Sequence, residues 1–146
     1  MDNLENILAA WEKDSEINPT EPGKELLNIP KLHSKYLKAL VRNRLQLKKV
    51  KNDLLEARKV KWSYYSGHYN TNKEVLQQLG LEPFKFILKQ DINLYIDSDK
   101  EIIKFTDKIA YYDEIIRALE YIMAELKQRT WNIKSFIDWE KFIQGA

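Results

Sequence analysis

Residues 58–70 read RKVKWSYYSGHYN, which sets Arg58, Lys59 and Lys61 beside Trp62, Tyr64, Tyr65, His68 and Tyr69, with Gly67 one of only four glycines in the chain. This mixture suits single-stranded nucleic acid. Cations follow the phosphates while aromatic faces stack on bases, each stack contributing about 1–3 kcal/mol with little regard to base identity. Lys59 and Lys61 stand two positions apart, so on a helix they diverge by about 200° and either bracket a strand or face different neighbours. The structural alternative for Trp62 and Tyr65 is core packing, and we expect it to hold for one of them.

The charge along the 146 residues supports a polyanionic partner for this region. Net charge is +2, but residues 1–30 hold two bases against seven acids (−5), residues 31–66 eleven against two (+9), and the remainder eleven against thirteen (−2). Along the basic segment the cations are nearly unopposed, whereas a solvated helix face usually interleaves acids four residues away. An acidic lead of opposite sign suggests a cationic partner, or competition for the chain's own basic helix.

Positioning these residues requires long helices. Tyr36, Leu40, Asn43, Leu47, Val50, Leu54 and Ala57 recur in steps of four and three, which predicts a helix over 31–65 with Pro30 at its start and SGHYNTN ending it. Asn43 in that seam either sets a register or faces water. Leu4, Ile7, Leu8 and Trp11 predict a short amphipathic helix over 3–13, which INPTEPGK breaks as a hinge. A further turn or two is expected over 73–79, and FKFIL at 84–88 reads as extended. Residues 92–96 fit both a strand and a short helix, and we favour the helix.

A second long helix is predicted over 99–130, with Ser98 as N-cap and Glu101 completing a capping box. Ile102, Ile109, Ile116 and Met123 repeat every seven residues, as do Phe105, Tyr112, Leu119 and Leu126. Two apolar positions per heptad make a narrow seam, which favours pairing with another long helix, from this chain or a second copy. The tail places Trp131, Ile133, Phe136, Ile137, Trp139, Phe142 and Ile143 on a further amphipathic helix too apolar to be left in water. The fold class is therefore mainly α, assembling into a helical homo-oligomer. It divides into an N-terminal region, 1–97, carrying the acidic lead, hinge and basic helix, and a C-terminal oligomerisation region, 98–146.

Several chemistries are set aside. There is no cysteine, and His33 and His68 stand far apart, so no metal site is expected. No GxxxxGK[ST] loop is present to cradle a nucleotide. Carboxylate pairs such as Asp97 with Asp99, or Asp113 with Glu114, read as helix caps or solvated surface, and no enzymatic activity or cofactor is expected. No secretory leader is visible, no stretch reaches the roughly 20 apolar residues of a membrane span, and a cytoplasmic protein is the default.

The run KVKWSYYSG, with DSDKEI at 97–102, RTWNIK at 129–134 and DWEKFIQG at 138–145, resembles the UvsY recombination mediator family of T-even-like tailed phages, collinearly and over nearly the whole chain. The resemblance implies a non-enzymatic accessory to homologous recombination, replication and repair, acting in the cytoplasm of the infected host. Such mediators bind single-stranded DNA, contact the phage single-strand-binding protein and the phage recombinase, and help load the recombinase onto covered DNA. It further implies a ring-like hexamer or heptamer assembled through the C-terminal region. The family's two basic DNA-contact positions fall here on Lys59 and Lys61; a family arginine replaced by lysine keeps charge but loses bidentate geometry. The loop after Gly67 departs from the family in length and composition.

Two rival readings remain. One keeps the seam and treats the lysines as solvated, giving a coiled-coil structural or assembly protein that does not bind DNA. The other is a duplex-binding regulator, against which stands the lack of a helix-turn-helix signal.

Overall fold

The computed structural model describes residues 3–83 and 87–145, and all regular structure among them is helical. Five α-helices follow in order: α1 (Leu4–Asp14), α2 (Pro22–Tyr65), α3 (Lys73–Leu79), α4 (Ile92–Asp97) and α5 (Lys100–Ile143), with a 3-10 turn at Lys89–Asp91 leading into α4. Residues 92–97 are helical, as favoured from sequence. The extended segment expected at 84–88 falls largely on residues 84–86, outside the described residues.

Both long helices exceed their predicted bounds. α2 starts at Pro22, and Pro30 lies inside it rather than at its start. Pro22 is suited to a first helical position because its missing N–H would have no partner there. The expected hinge shrinks to Ser15–Glu21. It is a tied turn, in which the Asn18 side chain accepts from the Thr20 amide (3.0 Å) and hydroxyl (2.6 Å). α5 runs without interruption into the tail, so the separate C-terminal helix expected from sequence is its last third. Thr130 and Asn132 are weak helix formers, but neither Gly nor Pro stands there to end the helix.

The predicted cap is also displaced by one residue. Asp99, not Ser98, caps α5, its Oδ1 accepting from the Glu101 amide at 2.9 Å. Ser98 instead closes α4, donating through Oγ to the Leu94 carbonyl at 2.8 Å.

The chain forms two compact units, one of residues 1–46 with 112–146 and the other of residues 47–111. In the first, Ile7 of α1, Leu32, Tyr36, Ala39 and Leu40 of α2, and Ile115, Leu119, Ile122 and Leu126 of α5 make one core. The acidic lead is thus anchored to this core through α1. Trp11 meets the Tyr36 ring edge-on at 5.6 Å, and the buried Arg129 lies over Trp11 and donates to the Asp14 carbonyl at 2.8 Å. A cation at this end satisfies a carbonyl that α1 itself leaves unpaired. Asn43 is buried and donates to the Ala39 carbonyl of its own helix at 2.8 Å, so it does not face water.

Ile115 and Ile122 enter this core although the two-position seam omitted them, while Ile116 and Met123 are only partly buried. The apolar face of α5 is therefore of ordinary core width, about three positions per heptad, not the narrow seam of a coiled coil.

In the second unit Ile92, Ile96 and Ile102 are buried against Leu54, Ala57, Tyr65 and Ile87. α2 ends there in a Schellman motif: Gly67, at φ 85°, donates to the Tyr64 carbonyl, and His68 donates to that of Ser63 at 3.0 Å.

Candidate nucleic-acid interface

The last turns of α2, in the second unit, present the RKVKWSYY residues on different sides. Arg58 and Lys61 are both held by carboxylates. Arg58 Nη1 lies 2.8 Å from Asp97 Oδ1. Lys61 Nζ lies 3.1 Å from Glu101 and 3.4 Å from Asp99, and its side chain is only 13% exposed. Lys59 is exposed and makes no ion pair among the described residues. The divergence expected from two-residue spacing is therefore real: one lysine turns inward and the other faces water.

The inward cluster is electrostatically closed. Tyr65 donates its hydroxyl to Asp99 Oδ2 at 2.7 Å, and the same oxygen faces Lys61. Burial would raise the Asp99 carboxyl, but the Tyr65 hydroxyl, the Glu101 amide and the Lys61 ammonium outweigh it and hold it below the usual range. Burial would likewise lower Lys61, and Glu101 with Asp99 reverse this, so its ammonium is held more firmly protonated. Burial and then the hydrogen bond to Asp99 push the Tyr65 phenol upward.

The aromatics divide in the same way. Tyr64 is buried, with its hydroxyl donating to the Glu82 carbonyl at 2.9 Å. Tyr65 packs edge-on to Tyr64 at 5.1 Å and lies 5.8 Å from Tyr95. Trp62 is 43% exposed, and the His68 ring lies 5.3 Å from it at a 36° tilt. His68 is oriented by a hydrogen bond between Nδ1 and the Ser66 hydroxyl. Lys59, Trp62 and His68 are thus the outward members of the predicted set, and Tyr64 and Tyr65 hold the helix end in place.

Sequence reasoning missed the acids that face the basic helix. Asp97, Asp99 and Glu101 pair with Arg58 and Lys61, and in the first unit Asp14 pairs with Lys35 (2.6 Å) and Glu120 with Arg44 (3.0 Å). Lys35, Arg44, Arg58 and Lys61 are unopposed along α2 but not in space, because their partners come from α1, α4, α5 and the turn before α5. The DSDKE cluster was the available signal. Among the described residues no group of three or more His, Asp or Glu side chains is placed to hold a metal ion, and no helix is long and apolar enough to cross a membrane.

A sequence profile described as "Recombination, repair and ssDNA binding protein UvsY" matches residues 10–146. The chain belongs to the UvsY family. Its fold is similar to that of the recombination mediator protein UvsY of bacteriophage T4. Two crystal forms of that protein match with TM-scores of 0.83 and 0.81 at 20% identity, covering 97% and 96% of this chain and 98% of the solved one. At that identity the likeness is one of fold. No match is found among curated proteins.

Within this UvsY-family fold the residues expected to drive assembly fall into three groups. Ile102, Leu119 and Leu126 are buried in the chain's own cores. Phe105, Ile109, Tyr112, Ile116, Met123 and Phe136 are half-buried. Trp131, Trp139 and Phe142 are exposed at 64%, 58% and 73%, the last two stacked at 5.7 Å. Only this last group offers a large apolar surface that the chain leaves uncovered.

Proposed function

We propose that the chain is a recombination mediator that binds single-stranded DNA through the outward face of the α2 end and helps load a phage recombinase onto DNA covered by single-strand-binding protein. Lys59 meets a phosphate, and Trp62 with His68 supplies the stacking face. Arg58, Lys61, Tyr64 and Tyr65 keep that face in position from behind. Copies of the chain assemble through Trp131, Trp139 and Phe142 into a ring-like hexamer or heptamer. Each copy then grips a short segment weakly, and many copies hold the strand by avidity while leaving each contact easy to release to the recombinase. The work is done in the cytoplasm of the infected host.

The observation that carries this reading is the free Lys59 beside the exposed Trp62–His68 pair, in a chain of the UvsY family. The internal pairing of Arg44, Arg58 and Lys61 favours instead a structural assembly protein that does not bind DNA. Fluorescence anisotropy with labelled single-stranded and duplex oligonucleotides across a salt series separates the two. A mediator prefers the single strand and weakens steeply with salt through counterion release. Equal, weak binding to both strands that is indifferent to Lys59→Gln leaves the assembly reading standing.

A further inference from the structure

The first unit carries a second cationic feature, distant in sequence from RKVKWSYY. No acidic residue falls between positions 26 and 52, and Lys31, Lys35 and Lys38 share one side of α2 with Asn28 and Ser34. With Asp14 of α1 they line an open groove of about 630 Å³. Lys31 and Lys38 are exposed and make no ion pair among the described residues. They lie seven residues apart, which is about 10.5 Å along the helix axis, so a strand running beside α2 meets them in succession.

Asp14 shows what the groove accepts. Its carboxylate sits 2.6 Å from Lys35 Nζ and 2.8 Å from the Tyr36 hydroxyl, an anionic oxygen already held in the groove that Lys31 and Lys38 also line. Asn28 and Ser34 add neutral hydrogen-bonding groups. Leu32, the one aliphatic residue of the lining, is only 7% exposed, so an apolar anchor of the kind that gives peptides their affinity would meet mainly lysine stems there. It also has no exposed aromatic in its lining on which a base could stack.

We infer that this groove is a second DNA-contact site, taking the phosphodiester backbone of single-stranded DNA through Lys31 and Lys38 without contacting its bases. The inference rests on the DNA-binding function proposed above and adds a contact site in a different unit of the chain. Lys35 is already neutralised by Asp14, so the site supplies two phosphate contacts.

The test compares salt titrations of a labelled oligothymidylate with the full chain, with Lys31→Gln/Lys38→Gln, and with Lys127→Gln/Lys134→Gln as a control of equal charge on the same unit. Each phosphate contact contributes about 0.7 to the slope of log affinity against log salt on single strands. Loss of Lys31 and Lys38 should lower that slope by about 1.4, with the control slope and both melting temperatures unchanged. Wild-type and variant slopes that coincide overturn the site but leave the proposed function intact. A wild-type chain that binds no single strand overturns the function and this site with it. A third arm titrates polyglutamate: dependence on Lys31 and Lys38 there, with unchanged DNA slopes, would make the groove a dock for an acidic protein segment and overturn the phosphate assignment.

Discussion

Lys61 Nζ lies 3.4 Å from the Asp99 carboxylate that also accepts the Tyr65 hydroxyl and caps α5, so one carboxylate ties the end of α2 to the start of α5. Two residues earlier, Lys59 faces water. The two lysines of one motif therefore do different physical work, and the chain's most conspicuous sequence feature separates into a tether and a free charge.

Substitution should separate them too. Lys59→Gln removes an exposed charge with no partner among the described residues, so we expect weaker single-strand binding at an unchanged melting temperature. Lys61→Gln leaves Asp99 half-buried without its cation, at a cost of about 1–3 kcal/mol. Thermal melts with binding titrations on both variants check this. Equal melting temperatures for the two would show that the tether contributes nothing.

Trp62 and Tyr64 offer a parallel contrast. Trp62→Ala should weaken single-strand binding by about 1–3 kcal/mol, the worth of one stacked base. Tyr64→Phe removes a hydrogen bond to the Glu82 carbonyl and should cost about 0.5–1.5 kcal/mol of stability, with DNA affinity retained. Tryptophan fluorescence quenching on adding DNA would report the first directly, and quenching that survives in Trp62→Ala would move the stacking face elsewhere.

Much of the fold was legible. The seam at Tyr36, Leu40, Asn43 and Val50 is the buried face of α2, because 3.6-residue periodicity depends on the helix alone. Helix ends were less legible: Pro22 and Pro30 carry the same local signal, and only packing decides which one begins the helix. The α5 face was read too narrowly because a strict seven-residue count omits Ile115 and Ile122, which lie one position from Ile116 and Met123. Among candidate site residues, types were readable and directions were not. Whether Lys61 faces DNA or Asp99 depends on residues nearly forty positions away, which helical spacing cannot bring into view.

The acidic lead illustrates the same limit and yields a further expectation. Ile7 is fully buried and Trp11 packs on Tyr36 and Arg129, so α1 is anchored to the core of the first unit rather than forming a free arm. Ile7→Ala should cost about 2–5 kcal/mol. Denaturant unfolding measures this, and a loss below about 0.5 kcal/mol would mean that α1 is dispensable for stability.

Fold and assembly should also be separable on α5. Leu119→Ala opens a cavity in a fully buried position and should cost about 2–5 kcal/mol of unfolding free energy. Trp139→Asp with Phe142→Asp alters side chains the chain leaves exposed, so the secondary structure should persist while the native mass falls. Light scattering with circular dichroism distinguishes the outcomes. An unchanged mass would place the assembly surface away from the end of α5.

The pH dependence of stability follows from the same tethers. Asp14 and Asp99 are held below 3.8, so each contributes stability that is present above the unfolded carboxyl value and lost as pH falls through the folded one. Burial would raise Asp14, but Lys35 and Tyr36 outweigh it. On the alkaline side Tyr36 and Tyr65 are raised above 10.0 and Lys61 above 10.5, so their contribution is complete below the unfolded values and lost as pH climbs through the folded ones. The melting temperature should therefore hold a plateau between about pH 5 and pH 9 and fall on both sides. Asp99→Asn should melt lower on the plateau and show a shallower acid limb, since one of the two carboxyls that drive it is gone. If the acid limb keeps its full depth in that variant, the loss belongs to other groups and the Lys61–Asp99–Tyr65 tether is not what acid releases.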